Sequence, residues 1–233
     1  MSLRSLFLAA VCVVSSVGSV SAGLWINEFH YDNIRTDVGE FVEIAVSPSM
    51  TAGLDLSMVK IDLINGSTGN TYDDATLAGK SPSTVNGYDF YSLEKADFSS
   101  PIQNSIGGAD GILLSFPGGT QFLSYEGVIS PPAVGPAIGL TSTDVGVSES
   151  NGSTPVGSSL GLIGTGSEYA DFTWAVISDD TPGMLNVGQT VTAVPEPSQY
   201  LMFSLVGIVS VALSRTARRR FVLKVTELFW SKS

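Results

Sequence analysis

Short apolar runs alternate with polar, turn-forming residues from position 24 to position 192. In one run Val59, Ile61 and Leu63 are separated by single polar residues, so an extended chain carries all three on one face, which we expect to be buried. Gly, Asn, Asp and Pro lie between the runs, a pattern that is typical of an all-β sandwich. The pattern predicts strands at 24–30, 40–46, 58–64, 70–76, 88–93, 111–116, 121–125, 159–163 and 171–175.

Dipeptides that favour tight turns lie at several of the strand boundaries. Asn65-Gly66 and Gly69-Asn70 separate two of the predicted strands, and both pairs accept the positive φ that a tight hairpin needs. Further turns are predicted at Asn86-Gly87, Asp110-Gly111 and Asn151-Gly152.

Two longer stretches carry few strand signals. Residues 127–157 are rich in Pro, Gly, Ser and Thr, which predicts an extended loop with one short strand near 145–148. Residues 188–197 are predicted to connect the sandwich to the C-terminal segment. We therefore assign the sandwich domain to 23–192 and the linker proper to 193–197.

The N-terminal residues 1–22 are predicted to be a secretory signal peptide. Arg4 precedes the apolar segment 6–14, and small residues occupy the −3 and −1 positions before Gly23. We expect cleavage between Ala22 and Gly23. The alternative, an uncleaved membrane anchor, needs a longer apolar segment than this one.

The chain has one cysteine, Cys12, and one histidine, His30. A single copy of each excludes a Cys/His zinc site and a structural disulfide. Because Cys12 lies inside the predicted signal peptide, the mature protein would contain no cysteine. An exported domain of this kind depends on its core for stability.

The C-terminal end combines three features in a fixed order. Pro195-Glu196-Pro197 comes first, and the uncharged apolar segment 200–213 follows it. A helix over 198–213 is about 24 Å long, which is short for a hydrocarbon core of about 30 Å, so spanning needs help from the next residues or local thinning. The third feature is the basic cluster of Arg215, Arg218, Arg219 and Arg220.

This order predicts a transmembrane helix at 198–214 and a basic cytoplasmic tail at 215–233. The arginines stay in the cytoplasm by the positive-inside rule, and a signal peptide predicts the same orientation, with the sandwich outside. The alternative is a buried core helix at 198–214, which the charged flank and the terminal position disfavour.

The C-terminal features resemble the PEP-CTERM sorting signal of Gram-negative bacteria over about 194–220. The resemblance implies processing near Pro195-Glu196-Pro197 by a membrane exosortase. It also implies a destination at the cell surface or in the exopolysaccharide. The tail 221–233 is an addition to the family pattern, either an amphipathic helix on the inner membrane face or a passive extension.

Charge is distributed unevenly along the chain. Residues 23–197 carry four cations against 21 acids, a net charge of −17, whereas residues 198–233 carry six cations against one acid. A strongly acidic domain repels polyphosphate, so we expect no nucleic-acid partner.

The first two predicted strands carry a second resemblance. The segments LWINEFHYDN at 24–33 and TDVGEFVEIA at 36–45 are similar to the start of the lamin-tail-like domain, an immunoglobulin-type sandwich found in bacterial extracellular nucleases and surface proteins. Later pieces also fit, namely Asp110-Gly111-Ile112, 121–127, 158–160, 172–174, Thr181-Pro182-Gly183 and Asn186. The resemblance implies a domain that is generally a non-catalytic accessory.

Catalytic residues are not identified by any motif. His30 lies near Glu28, Asp32 and Asp37, and a metal-dependent hydrolase uses acids together with such a base. Glu28 and His30 share strand parity, but the sequence does not bring Asp32 and Asp37 back to them. The alternative is a strand-end histidine that is hydrogen-bonded to a loop. Neither a Gly-x-Ser-x-Gly motif nor a phosphate-binding loop is present.

Acids near the first two strands allow three interpretations. Glu28, Asp32, Asp37, Glu40 and Glu43 together offer the oxygen ligands that Ca²⁺ prefers. Most of them can equally form a solvated surface that keeps the domain soluble. Glu28 or Glu43 can instead accept backbone hydrogen bonds as a structural carboxylate.

Aromatic residues also allow two interpretations, an exposed platform for stacking sugars or ordinary core packing. The residues concerned are Trp25, Phe29, Tyr31, Phe41, Phe172 and Trp174.

The sequence therefore predicts an exported, non-enzymatic protein that is anchored in the membrane and sorted to the surface, with a structural, adhesive or exopolysaccharide-associated role. No catalytic residue, metal site or cofactor is assigned. The alternatives are an accessory or cryptic hydrolase acting on extracellular polymers and a Ca²⁺-dependent binding module. The sequence leaves the oligomeric state open.

Overall fold

A computed structural model describes residues 23–104 and 108–193. Twelve strands lie in these residues: β1 Leu24–His30, β2 Phe41–Val46, β3 Lys60–Ile64, β4 Thr71–Thr76, β5 Ser83–Val85, β6 Tyr88–Glu94, β7 Asp110–Phe116, β8 Gly119–Tyr125, β9 Thr143–Asp144, β10 Ser159–Gly166, β11 Thr173–Ile177 and β12 Gln189–Val191. The short helices are α1 at Pro48–Thr51 and 3₁₀ turns at Leu56–Met58, Lys95–Asp97 and Tyr169–Asp171.

The strands form two sheets. The first has the order β11-β10-β1-β2-β6-β5, and β12 joins β10 in parallel. The second has the order β4-β3-β7-β8-β9, with β9 parallel to β8. All the other strand pairs of the described residues are antiparallel. The prediction of an all-β, sandwich-like fold is confirmed.

The main core joins residues from both sheets. Ile26 of β1 and Ile44 of β2 belong to the same buried cluster as Ile61 of β3 and Leu114 of β7. Val59, Ile61 and Leu63 are completely buried, as their alternation predicts. Each such side chain contributes about 1.5–3 kcal/mol when it is fully removed from water.

A β-bulge at Asn27 changes which residues of β1 point to each face of the first sheet. The register with β2 shifts between Ile26 and Glu28, so that Ile26 and Phe29 both face the main core. Trp25 packs on the opposite face against Tyr88, with ring centroids 6.1 Å apart. The first sheet is therefore covered on both faces, which explains why every residue of β1 is buried.

The loop at 127–142 covers the outer face of the second sheet. Ile129 and Ala137 pack there against Leu113 and Phe122 in a third buried cluster. The prediction of an extended loop is thus correct, but its short strand is β9 at Thr143–Asp144 and not at 145–148.

Most turn predictions are confirmed, and one is wrong. Asn86 and Gly87 have φ values of 52° and 84° and form the two-residue turn between β5 and β6. Gly69, at φ 74°, helps to close the connection between β3 and β4. Asp110-Gly111 lies inside β7, opposite Tyr125 and Ser124 of β8, because the apolar run that follows extends the strand back to Asp110.

The predicted connection 188–197 is also wrong in its first part, since Gln189–Val191 is β12 and Val191 is completely buried. The compact unit that contains the twelve strands ends at Val191. Within the described residues no helix is long and apolar enough to cross a membrane. The predictions for 1–22, for Pro195-Glu196-Pro197, for the helix at 198–214 and for the arginine tail concern residues outside the described ranges.

Candidate functional site

His30 lies at the end of β1 and is completely buried. Its Nδ1 is 2.7 Å from Oε1 of Glu149, a residue of the loop that precedes β10. Its Nε2 is 2.7 Å from Nδ2 of Asn33 and 3.2 Å from the carbonyl oxygen of Val38. Both ring nitrogens are thus occupied by neighbouring loops, which matches the interpretation of a strand-end histidine hydrogen-bonded to a loop.

Glu149 ties its loop to the end of β1. Besides contacting His30 through Oε1, its carboxylate accepts hydrogen bonds at Oε2 from the backbone N–H groups of Tyr31 (2.7 Å) and Asp32 (3.0 Å). The Glu149 side chain has no exposed surface. Burial raises the pKa of Glu149, and the hydrogen bonds from His30, Tyr31 and Asp32 oppose that rise. A buried carboxylate with three donors fixes the segments that supply them.

The neighbours of His30 favour one tautomer of the neutral ring. Asn33 Nδ2 donates to the Val38 carbonyl oxygen at 2.8 Å and also faces His30 Nε2, which accepts only when it carries no proton. Nδ1 then carries the proton and donates to Glu149. Burial lowers the pKa of His30, but the hydrogen bond to Glu149 and its charge outweigh burial and raise the pKa above its usual value.

A Glu-His pair can activate a nucleophile that lies beside the second ring nitrogen. Here Nε2 faces an amide of Asn33 and a backbone carbonyl, and neither group is a nucleophile. The ring also has no exposed surface that a substrate can reach. In this conformation the pair holds loops together.

Glu28 and Glu43 form a second buried group. They are register partners on β1 and β2, and both are completely buried. Glu28 accepts hydrogen bonds from Ser159 Oγ (2.5 Å) and from the N–H and hydroxyl of Thr181 (3.0 and 2.7 Å). Glu43 accepts from the backbone N–H of Met184 at 2.9 Å.

These bonds hold the segment 178–188, between β11 and β12, which we call the C-terminal strap. Three side-chain amides complete the attachment. Asn27 Nδ2 donates to Glu43 and to Asn186, at 2.9 and 3.0 Å. Asn186 Nδ2 donates to the carbonyl oxygens of Asn27 and Leu162, while Gln189 Nε2 donates to Asn27 Oδ1. The bulge at Asn27 therefore places the amide that connects strand and strap.

Burial raises the pKa of Glu28 and raises that of Glu43 well above its usual value, and for Glu43 the charge of Glu28 adds to the rise. Hydrogen bonds from Thr181 and Ser159 oppose the rise at Glu28. Both carboxyl groups accept backbone hydrogen bonds from the strap, as the interpretation of structural carboxylates expects.

The remaining acids of the β1–β2 connection lie elsewhere. Asp32 is 3% exposed, and its carboxyl group lies against that of Asp37. Glu40 is also buried, and its Oε2 accepts from the Ile102 N–H at 3.4 Å and lies 3.9 Å from Lys95 Nζ. The five acids suggested by the sequence thus separate into different groups and do not form one Ca²⁺ site.

Within 23–104 and 108–193 no three or more His, Cys, Asp or Glu side chains are grouped to hold a metal ion. The surface beside Asp37 has a depression of about 430 Å³, lined also by residues 100–104.

The candidate aromatic platform is absent from the described surface. Trp25, Phe29, Tyr31 and Phe41 are at most 1% exposed, and Phe172 is buried at 8%. Half-buried Trp174 packs edge-on against Phe29, with ring centroids 5.3 Å apart. These side chains are used for core packing.

Several site residues could not be selected from the sequence. Asn27, Asn33, Asn186 and Gln189 lie in stretches with many other amides and turn formers, and no spacing distinguishes them. Glu149 has a weak signal, because it is one of only two acids in 127–157, a stretch without cations.

No protein-family model, curated protein or solved structure matches the chain.

Proposed function

We propose that this chain is an exported, non-enzymatic protein whose acidic sandwich is anchored by a C-terminal helix and then sorted to the cell surface. Its role there is structural or adhesive, within or against exopolysaccharide. The observation that carries the proposal is the use of the chemically active side chains. His30, Glu149, Glu28 and Glu43 are completely or nearly completely buried, and each holds a loop.

For the sandwich we propose an immunoglobulin-like, lamin-tail-like fold. The two-sheet architecture agrees with it. So does the contact between two segments that carry the resemblance, because Glu28 of the first binds Thr181 of the second. Asn27 and Asn186 join the same two segments.

Export is supported by the position of the folded residues. Strand β1 begins at Leu24, directly after the proposed cleavage bond between Ala22 and Gly23. The last strand ends at Val191, shortly before Pro195-Glu196-Pro197. The described residues contain no cysteine, so an oxidising exterior leaves their fold unchanged.

Processing and topology are tested with the full chain in a Gram-negative host that carries an exosortase. We expect a mature N-terminus at Gly23, and Ala22→Arg should block cleavage because the −1 position needs a small residue. A reporter fused after Ser214 should be active only in the cytoplasm. Replacing Pro195-Glu196-Pro197 with three alanines should keep the protein in the membrane fraction, while the unchanged chain reaches the surface. A periplasmic reporter, or an unprocessed cytosolic chain, would reject the proposal.

The absence of catalysis is tested separately. The purified exported portion is incubated with DNA, model esters and polysaccharides, with and without divalent cations. We expect no turnover. A turnover that His30→Gln or Glu149→Gln abolishes in a folded variant would establish a hydrolase instead.

Surface function is tested with the deletion strain. Loss of the chain should weaken cell adhesion or release exopolysaccharide, and His30→Gln should restore the wild-type property while a truncation after Gly23 should not. An unchanged strain would remove the structural role but would leave the export proposal standing.

A further inference from the structure

Strand β11, at one end of the first sheet, has an edge without a partner strand. It pairs with β10 along Thr173–Ile177, and no strand follows it in the sheet order. Within 23–104 and 108–193, the backbone groups of these five residues form no hydrogen bond other than those to β10. Alternate residues of an edge strand direct both N–H and C=O away from the sheet. β11 therefore presents a row of backbone groups that can pair with another extended chain.

The other sheet edges in the described part of the chain are protected against such pairing. β5, β9 and β12 have only two or three residues each. β4 is longer, but it carries Asp73 and Asp74, and charged side chains on an edge discourage pairing. β11 has five residues, none of which is charged or proline. It is thus the described edge that is open to an added strand.

The side chains of β11 indicate which residues an added strand should carry. Trp174 and Val176 lie on the same face of β11, since side chains alternate along a strand. Trp174 is half-buried against Phe29, whereas Val176 is 56% exposed. Cross-strand pairs of aromatic and β-branched side chains stabilise a sheet, so β-branched residues at alternate positions of the added strand fit beside these two.

Acidic residues flank β11 at both ends. Glu168 and Asp171 precede the strand and Asp179 follows it, and all three are exposed. None of them forms an ion pair in the part of the chain that the structure describes. If a second copy of the chain added its own β11, an antiparallel pair would bring Asp171 of one copy near Asp179 of the other. A parallel pair would bring each acid near its equivalent, so like charges repel in both cases. The same acids attract a strand with cations at its ends.

We propose that β11 accepts a strand from another protein, an extended segment with a short uncharged centre and lysine or arginine residues on both sides. Main-chain hydrogen bonds to β11 hold the segment, and the flanking charges select it. A segment of about nine extended residues, at about 3.3 Å each, reaches from Asp171 to Asp179 and brings a cation to each.

This inference goes beyond the proposed role at the cell surface, because the partner is a protein segment and not exopolysaccharide. Binding is measured on purified protein and does not depend on where the chain is sorted. A failure of the binding test therefore leaves the proposed export and surface role standing.

The test uses the full chain, purified in detergent, and three synthetic peptides as probes. The peptide KKTVTVTKK has the proposed pattern, with valines that face Trp174 and Val176 when its centre lies opposite Ala175. KKTPTPTKK has the same charge, but its prolines cannot donate hydrogen bonds to β11. EETVTVTEE keeps the β-branched pattern and reverses the charge. Binding is followed by amide hydrogen exchange along the chain.

At about 1 mM KKTVTVTKK, exchange of the outward amides of β11 should slow about threefold or more, while exchange along β4 should not change. The other two peptides should give less than half of this effect. Equal effects of KKTVTVTKK and KKTPTPTKK would mean general attraction to an acidic surface. No protection of β11 by any peptide would mean that the flanking acids only keep this edge unpaired. Either result would overturn the proposal.

A double variant tests the role of the flanking acids. Asp171→Asn with Asp179→Asn removes one charge at each end of β11 and keeps a side-chain oxygen at each position, so KKTVTVTKK should bind about fivefold more weakly. The matched control, Asp74→Asn with Glu94→Gln, removes two charges from β4 and β6 and should leave binding unchanged. Equal losses in the two double variants would contradict the proposed selection by charge.

Two other occupants of the edge give different results in the same assay. Protection of β11 that appears without peptide and grows with protein concentration would identify a second copy of the chain. Protection that is independent of concentration and is lost on removal of 215–233 would identify the chain's own basic tail. Both results would overturn the proposal of a separate partner.

Discussion

Removal of the Glu149 carboxylate should strongly destabilise the sandwich. The side chain has no exposed surface and accepts three hydrogen bonds, from His30 Nδ1 (2.7 Å), Tyr31 N (2.7 Å) and Asp32 N (3.0 Å). Glu149→Ala leaves three buried donors without an acceptor, at about 1–3 kcal/mol each before water or relaxation recovers part of the loss. With three such donors and partial recovery, we expect a loss of about 4 kcal/mol.

The measurement is urea and thermal unfolding of the exported portion, followed by tryptophan fluorescence. At about 2–4 °C per kcal/mol, a loss of about 4 kcal/mol lowers the Tm by about 8–16 °C. Glu149→Gln keeps the shape and one oxygen for the two backbone donors, so its loss should be about 1–2 kcal/mol. The control is Glu126→Gln, because Glu126 is exposed and accepts only the Tyr31 hydroxyl, at 3.2 Å.

The comparison of the two Glu149 variants tests the reasoning. If Glu149→Ala costs less than about 1 kcal/mol, then the three bonds are not formed or are replaced by water. If Glu149→Gln and Glu149→Ala lower the free energy of unfolding equally, then the charge of the Glu149 carboxylate matters and the shape of the side chain does not.

Three further predictions concern other positions. Gly161→Ala places a Cβ 2.7 Å from Asn186 Nδ2 and 2.4 Å from Ile177 Cδ1, so the free energy of unfolding should fall by about 2 kcal/mol in urea titrations. An unchanged value would mean that the C-terminal strap shifts without cost to make room for the methyl group. Gly87→Ala, at φ 84°, should cost about 1–2 kcal/mol in the same assay, and no cost would contradict the turn conformation. Among the carboxyl groups of the described residues, more have a pKa that burial raises than a pKa that hydrogen bonds lower, and the pKa of Glu43 is raised well above its usual value. The folded state therefore binds more protons than the unfolded chain. The stability that these groups contribute is fully present below their usual pKa of about 4.5 and is lost as pH rises through their pKa values in the folded state. Calorimetry should therefore give a higher Tm near pH 5 than near pH 8, with a smaller difference for Glu43→Gln. A Tm that rises with pH would contradict this.

The strands that could be predicted are those with a pattern of their own. The pattern predicts β1 at its observed bounds, and the alternation places Val59, Ile61 and Leu63 correctly in the core, although Asp62 on the other face of β3 is buried as well. The sequence pattern does not predict β5 and β12, because three residues are too few to show a period. Each of these strands forms only because a longer strand supplies its hydrogen bonds. Asp110-Gly111 is predicted as a turn because Asp and Gly favour turns locally, and only the pairing with Tyr125 and Ser124 of β8 makes them the start of a strand.

The candidate site divides in the same way. The importance of His30, Glu28 and Glu43 is visible in the sequence, because polar residues interrupt apolar strands there. Their roles are not visible, since Glu149 lies 119 residues from His30, and Thr181 lies 153 residues from Glu28. The alternation of residues along β1 does not predict the bulge at Asn27, which brings the Asn27 side-chain amide beside Glu43.

The sequence by itself determined the all-β class, the uneven charge and the segments in which strands form, because these depend on local periodicity and composition. Only the tertiary structure decided which acids are buried, which loop each one holds, and that His30 faces Asn33 and Val38 instead of a nucleophile. Burial and hydrogen-bond partners are properties of contacts between distant segments. The same residue type can therefore act as a catalyst, as a ligand or as a structural hydrogen-bonding group, depending on the neighbours that the fold gives it.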